Sequence, residues 1–222
     1  MKNQKLKNAL VILYTCVAIL SFVVILIIPT SREWFKGLSG SHPYIMGFIK
    51  FALLATAGEL IAAFIKTGKI TVPCKIIWRF VIWGIIGAWI TLMMTVYKYA
   101  ADYMMAQGKL PGVGITPLFA LFTSVLMNTT FGPTFMAVHK ISDKMLEMSA
   151  NKEKLSLKNA VNGIDWSNFV SFTILKTVPF FWIPAHFVTF MLPSEYQVIM
   201  AAALSIALGI ILSVGGRKNK NK

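Results

Sequence analysis

Apolar residues fill six long runs of this chain, and the charged residues gather mostly in the short stretches between them. The runs cover about residues 8–28, 43–65, 76–97, 116–138, 167–191 and 196–214. Each is close to the roughly 20 residues that an α-helix needs to cross the hydrocarbon of a bilayer. The pattern predicts an all-α, polytopic transmembrane helical bundle with six spans. The first run is longer than the apolar core of a signal peptide, and Pro29-Thr30-Ser31-Arg32-Glu33 after it makes a poor cleavage site. Local signals mark several helix ends. Pro43 suits a first helical position, and Thr116 before Pro117 reads as an N-cap. Ser194 and Gln197 have the spacing of a capping box. Between the fourth and fifth runs, Ile141, Met145 and Met148 recur at helical spacing within the polar segment 139–166, which predicts an amphipathic surface helix there.

Composition agrees with this reading. Of 222 residues 56% are hydrophobic and only 14% charged, and mean hydropathy is +0.68. These values lie outside the range of soluble domains and predict one integral membrane domain over residues 1–222. The net charge of +14 raises nucleic acid as a partner, but the basic residues sit in short loops between apolar runs. Anionic lipid on the cytoplasmic face accounts for that placement, with no nucleic acid. If the N-terminus is inside, the inner segments hold fifteen Lys and Arg and the outer loops four: Arg32, Lys36, Lys98 and Lys109. Both termini are therefore expected in the cytoplasm.

Four ionisable residues fall within the runs: Lys50, Glu59, Arg79 and Lys176. Such residues are costly in lipid and face the bundle interior or water. Glu59 is the only acid among them and needs a cation; Arg79 and Lys176 are the candidates, and the deep Lys176 is the favoured partner. Lys50 lies near the outer end of its run and is expected to snorkel to the interface. In the fourth run, Asn128-Thr129-Thr130 precede Gly132-Pro133. This is the pattern of a broken helix lining a cavity, or of a proline kink satisfied by threonine hydroxyls.

The apolar stretch 179–193 carries Pro179, Pro184 and Pro193 together with His186 and Thr189. In an α-helix Pro179 would free the carbonyl of Leu175 and Pro184 that of Phe180, so neighbouring helices should pack around a bend here. In the last run Ala201, Ser205, Gly209 and Ser213 form one small-residue stripe, the mark of a close helix–helix contact within the chain or across a homo-oligomer. Gly84 and Ala88 offer a shorter step of the same kind.

No motif of enzyme chemistry is present. Cys16 and Cys74 are far apart in sequence, and His42, His139 and His186 are isolated. Neither set has metal-ligand spacing, and there is no Gly-rich phosphate loop or nucleophile elbow. The sequence predicts no catalytic residue, metal or cofactor.

The stretch Trp182-Ile183-Pro184-Ala185-His186-Phe187-Val188-Thr189-Phe190-Met191-Leu192-Pro193, with Leu212-Ser213 further on, resembles the C-terminal signature of the Mpv-seventeen/peroxisomal-membrane-protein-twenty-two family. His186 stands where the eukaryotic pattern has Gln, Thr189 where it has Asn, and Gln197 where it has Arg. Gly58-Glu59, Asn128, Phe131, Pro133, Met136, His139-Lys140, Asp143 and Lys176-Thr177 look like the pattern of bacterial-type members. The resemblance spans about residues 45–213 and leaves the run 8–28 as an extra N-terminal span. It implies a small helical protein of a bacterial cytoplasmic membrane, with an organelle membrane as the alternative. It also implies a weakly selective small-solute channel with no catalytic residues. On that reading Glu59, Arg79, Asn128, Thr129, Lys176 and His186 are the candidates for a pore wall or buried polar cluster. The alternative is a non-conducting structural or scaffolding protein in which the same residues form a sealed, paired core.

Overall fold

The computed structural model describes residues 2–218, with the side chains of residues 4–211. Among the described residues every regular element is a helix. In chain order these are α1 (Lys2–Ile27), α2 (Pro29–Ser41), α3 (Pro43–Thr67), α4 (Ile76–Ala106), α5 (Thr116–Ala150), α6 (Leu157–Asn162) and α7 (Trp166–Asn168). A π-helix, Phe169–Trp182, then leads directly into α8 (Ile183–Met191), and α9 (Ser194–Lys218) closes the chain.

Five helical stretches among the described residues are long and apolar enough to cross a membrane: Gln4–Ile27, Pro43–Thr67, Ile76–Ala106, Trp166–Met191 and Ser194–Ile211. The protein is thus an all-helical chain compatible with an integral membrane protein. The fourth predicted span lies in α5, which has the length but carries Thr123, Ser124, Asn128, Thr129, Thr130 and Thr134 among its apolar residues.

The chain forms two compact units. One holds the chain up to Ala88 together with Val198 onward, and the other holds Trp89–Gln197. In the first unit α1 packs on α2 and α3, and α2 packs on α3. Pro29 and Pro43 open α2 and α3 where a missing N–H costs nothing. Gly68 ends α3 in the left-handed conformation at φ 69°, and its N–H bonds the Phe64 carbonyl at 2.8 Å. Helix α4 approaches α3 through Gly84 and Gly87, whose Cβ positions would lie 2.4 Å from the Phe48 ring and 2.4 Å from the Gly47 carbonyl oxygen. Gly84 of the predicted Gly84–Ala88 step thus makes a close approach, and Gly87 makes a second. Helix α9 meets α3 at Gly58, where a Cβ would come 3.0 Å from Ile206, and at Gly209, where it would come 3.6 Å from Ala62. Gly209 of the predicted stripe thus faces a helix of the same chain, and Ala201 is buried. Ser213 and the basic tail from Arg217 lie outside the residues whose side chains are described.

In the second unit α5 packs along α8 and also meets α6 and the π-helix. Phe131 of α5 takes an edge contact from Trp89 at 4.8 Å and stacks on Phe135 at 5.5 Å. Of the two readings of 128–133, the broken helix does not occur. Helix α5 runs unbroken through Pro133 to Ala150, so the expected surface helix is its own extension, followed by α6. The hydroxyls of Thr129, Thr130 and Thr134 each bond a carbonyl one turn back, at 2.7, 2.6 and 3.3 Å. Ile115, rather than Thr116, is the residue that caps α5. Gln197 donates to the Leu192 carbonyl at 2.9 Å while its own amide oxygen is buried without a partner. The capping box predicted with Ser194 therefore does not form. Ser194 instead accepts from Lys98 at 3.2 Å.

The stretch around Pro179 also departs from expectation. It stays helical as a π-helix, in which N–H groups bond five residues back. The N–H of Ile183 reaches Val178 in this way. In that register the donor missing at Pro179 is the one for Ile174, not Leu175. The sequence pattern argued only for a bend, and the wider helix absorbs the proline without breaking the segment.

Candidate functional site

Among the described residues, buried polar clusters lie within the helices of both units. The first is built on Glu59 of α3. Arg79 and Trp83 stand one turn apart on α4, so both point from the same face. Arg79 Nη1 lies 3.4 Å from each carboxylate oxygen, and Trp83 Nε1 donates to Oε1 at 2.8 Å. Arg79 Nε also donates to the Cys74 carbonyl at 3.0 Å. The pair is mostly shielded, with 14% of the arginine and 18% of the glutamate side chain exposed. Two donors therefore engage the carboxylate, and the guanidinium is tied to the chain entering α4. Within the first unit the partner of Glu59 is Arg79, the other candidate cation. Lys176 lies exposed on the π-helix.

The second cluster belongs to Lys50. It does not snorkel: it is 2% exposed. Helix α2 lies over it. Ser39 accepts from Nζ at 2.9 Å, and the Phe35 ring centroid is 4.5 Å from Nζ. Ser39 and Phe35 are one turn apart on α2, and Phe35 is itself 1% exposed with an edge contact to Phe22. Among the described residues Lys50 forms no ion pair. A hydroxyl and a π-face replace the water that snorkelling would have supplied. Sequence reasoning missed this site because it took 29–41 for a loop. Pro29 at a helix start, with Phe35 and Ser39 one turn apart, is the signal that would have found it.

The third cluster joins α5 to α8. His186 Nδ1 lies 2.9 Å from Asn128 Oδ1. Asn128 Nδ2 donates to the Ser124 carbonyl at 2.8 Å, and Ser124 Oγ donates to the Ile183 carbonyl at 2.7 Å. Because Nδ2 faces a carbonyl, which only accepts, the amide oxygen must face the histidine. His186 Nδ1 therefore carries the proton. The ring stacks on Trp182 at 5.3 Å and approaches Phe190 at 6.3 Å. Asn128, Ser124 and His186 are all buried. Thr129 is not part of this network. It is exposed, with its hydroxyl turned back on Val125. The six candidate residues thus separate into a Glu59–Arg79 pair, an Asn128–His186 pair, and two exposed residues, Thr129 and Lys176.

No protein-family model, curated protein or solved structure matches the chain.

Proposed function

We propose that this is a six-span membrane protein of the bacterial cytoplasmic membrane whose interior polar residues form closed structural contacts, so that the single chain acts as a structural or scaffolding protein. One observation carries this reading: the buried Asn128, Ser124 and His186 side chains hydrogen-bond one another and the backbone carbonyls of Ser124 and Ile183. A solute path would need such groups turned toward water. The sixth span is the first part of α5, whose polar residues inside the second unit are paired in this way. The resemblance to bacterial-type members of the Mpv-seventeen/peroxisomal-membrane-protein-twenty-two family supports the location. The distribution of Lys and Arg supports both termini in the cytoplasm.

A second reading, a small-solute pore shared between copies of the chain, draws on one feature. Lys176 is exposed in the middle of an apolar helix, where a charge facing hydrocarbon is costly. A neighbouring copy or a wet lumen would remove that cost.

Topology is tested with Ala150→Cys in a chain whose Cys16 and Cys74 are replaced by serine. An impermeant maleimide should label it in inverted vesicles and not in spheroplasts; labelling in spheroplasts overturns the six-span orientation. Conduction is tested in liposomes loaded with small neutral and charged solutes. The scaffold reading expects efflux no faster than from empty liposomes. It also expects Asn128→Leu to lower the melting midpoint, through a loss of about 1–3 kcal/mol from the stranded partners. Efflux that rises with protein density and changes ion preference in Lys176→Gln would establish the pore instead.

A further inference from the structure

The first unit holds a cavity of about 530 Å3 between α1, α3 and the start of α4. That volume falls within the roughly 300–1,000 Å3 of ordinary small-molecule sites. Its walls are almost wholly apolar, with Val11, Leu60, Ile76 and Phe80 among them. Its mouth is at the helix surface, since the lining residues Leu10, Val72 and Ile77 are exposed. Two features break the apolar lining. Lys7 stands at the start of α1. Thr56, 2% exposed, buries its hydroxyl beside that of Tyr14. The Tyr14 hydroxyl is turned to the Leu53 carbonyl at 3.0 Å. No acidic residue lines the cavity. The loop that closes this end, between α3 and α4, adds Lys69 and Lys75.

The geometry points to a binding site for one anionic phospholipid. An acyl chain would occupy the apolar cleft, and the phosphate would sit at its mouth against Lys7. Two properties of the site select this ligand. The cleft is open along the helix surface, so a chain can enter from the bilayer without passing through water. The single cation of the lining stands at the end where a headgroup belongs, with no carboxylate on the wall. The cleft is also built by α1, the run beyond the family-like region, so the extra helix has a use of its own. The proposal depends on the membrane location alone and not on whether the protein conducts.

The test uses the full chain in detergent, with thermal unfolding and native mass spectrometry as readouts. The probes are phosphatidylglycerol and phosphatidylcholine of the same acyl composition. The wild type should retain phosphatidylglycerol more tightly and melt higher with it. Lys7→Gln should reduce that preference by about fivefold, the effect of one lysine near an anionic surface. Lys5→Gln, which removes the same charge from outside the cavity, should leave it unchanged. Val11→Trp, which fills the cleft, should weaken both lipids. If that variant fails to fold, the Lys7 and Lys5 comparison decides alone. Equal binding of the two lipids, or equal losses in Lys7→Gln and Lys5→Gln, would overturn the site, as would a dimer whose dissociation opens it.

Discussion

Gly87→Ala lowers the melting midpoint of the detergent-solubilised protein, whereas Gly37→Ala leaves it level or raises it. Both residues lie in helices, where alanine is favoured over glycine by about 1 kcal/mol. The difference lies in what the new methyl group meets. At Gly37 nothing lies within 4 Å of the Cβ position. At Gly87 the Gly47 carbonyl oxygen and the Phe51 Cβ both lie 2.4 Å away. Neither atom is the end of a flexible side chain, so α3 and α4 must move apart. Overpacking of this kind costs about 1–3 kcal/mol, and in lipid it also removes the close contact that drives helix association. Gly84→Ala should be milder, because the Phe48 ring it meets can turn aside. An unchanged midpoint in Gly87→Ala would show that the two backbones are not in contact at this step.

Arg79→Met destabilises the protein more than Arg79→Met combined with Glu59→Gln. The single change leaves a largely shielded carboxylate that keeps the Trp83 N–H but loses the guanidinium. The double change leaves two neutral groups of similar shape. Removing one partner of a shielded pair exposes the full desolvation cost of the other, whereas removing both is nearly neutral. The coupling in the double-mutant cycle should be about 1.5–3 kcal/mol, the range for hydrogen bonds to charged groups. Lys176→Met serves as the contrasting case, since Lys176 is exposed; its loss should add to that of Glu59→Gln without coupling. Simple additivity for Arg79 and Glu59, read from chemical or thermal unfolding, would rule out the pair.

The residue types alone made Glu59 a site that required a cation, because an acid within an apolar run has few other outcomes. They did not choose the cation. Lys176 was favoured on depth, which treats each helix as a straight rod. Arg79 and Trp83 win because the short connection after α3 brings the first turns of α4 alongside Glu59. Lys50 shows the same limit from the other side. Snorkelling is the correct expectation for a lysine near a helix end with water above it, but α2 covers that end.

The sequence by itself determined that the long apolar runs are helices. Runs of about 20 apolar residues can satisfy their backbones in lipid only as helices or closed barrels, and runs this long and continuous read as helices. Pro43 marks an end that local backbone chemistry imposes. The tertiary structure alone decided which polar groups meet. Asn128 and His186 are 58 positions apart, and no local period relates them. It also decided that the proline-rich stretch widens into a π-helix at Phe169–Trp182. Partner choice and helix register depend on how faces pack across space. Hydrophobic periodicity identifies a helix's apolar face but not the face set against it.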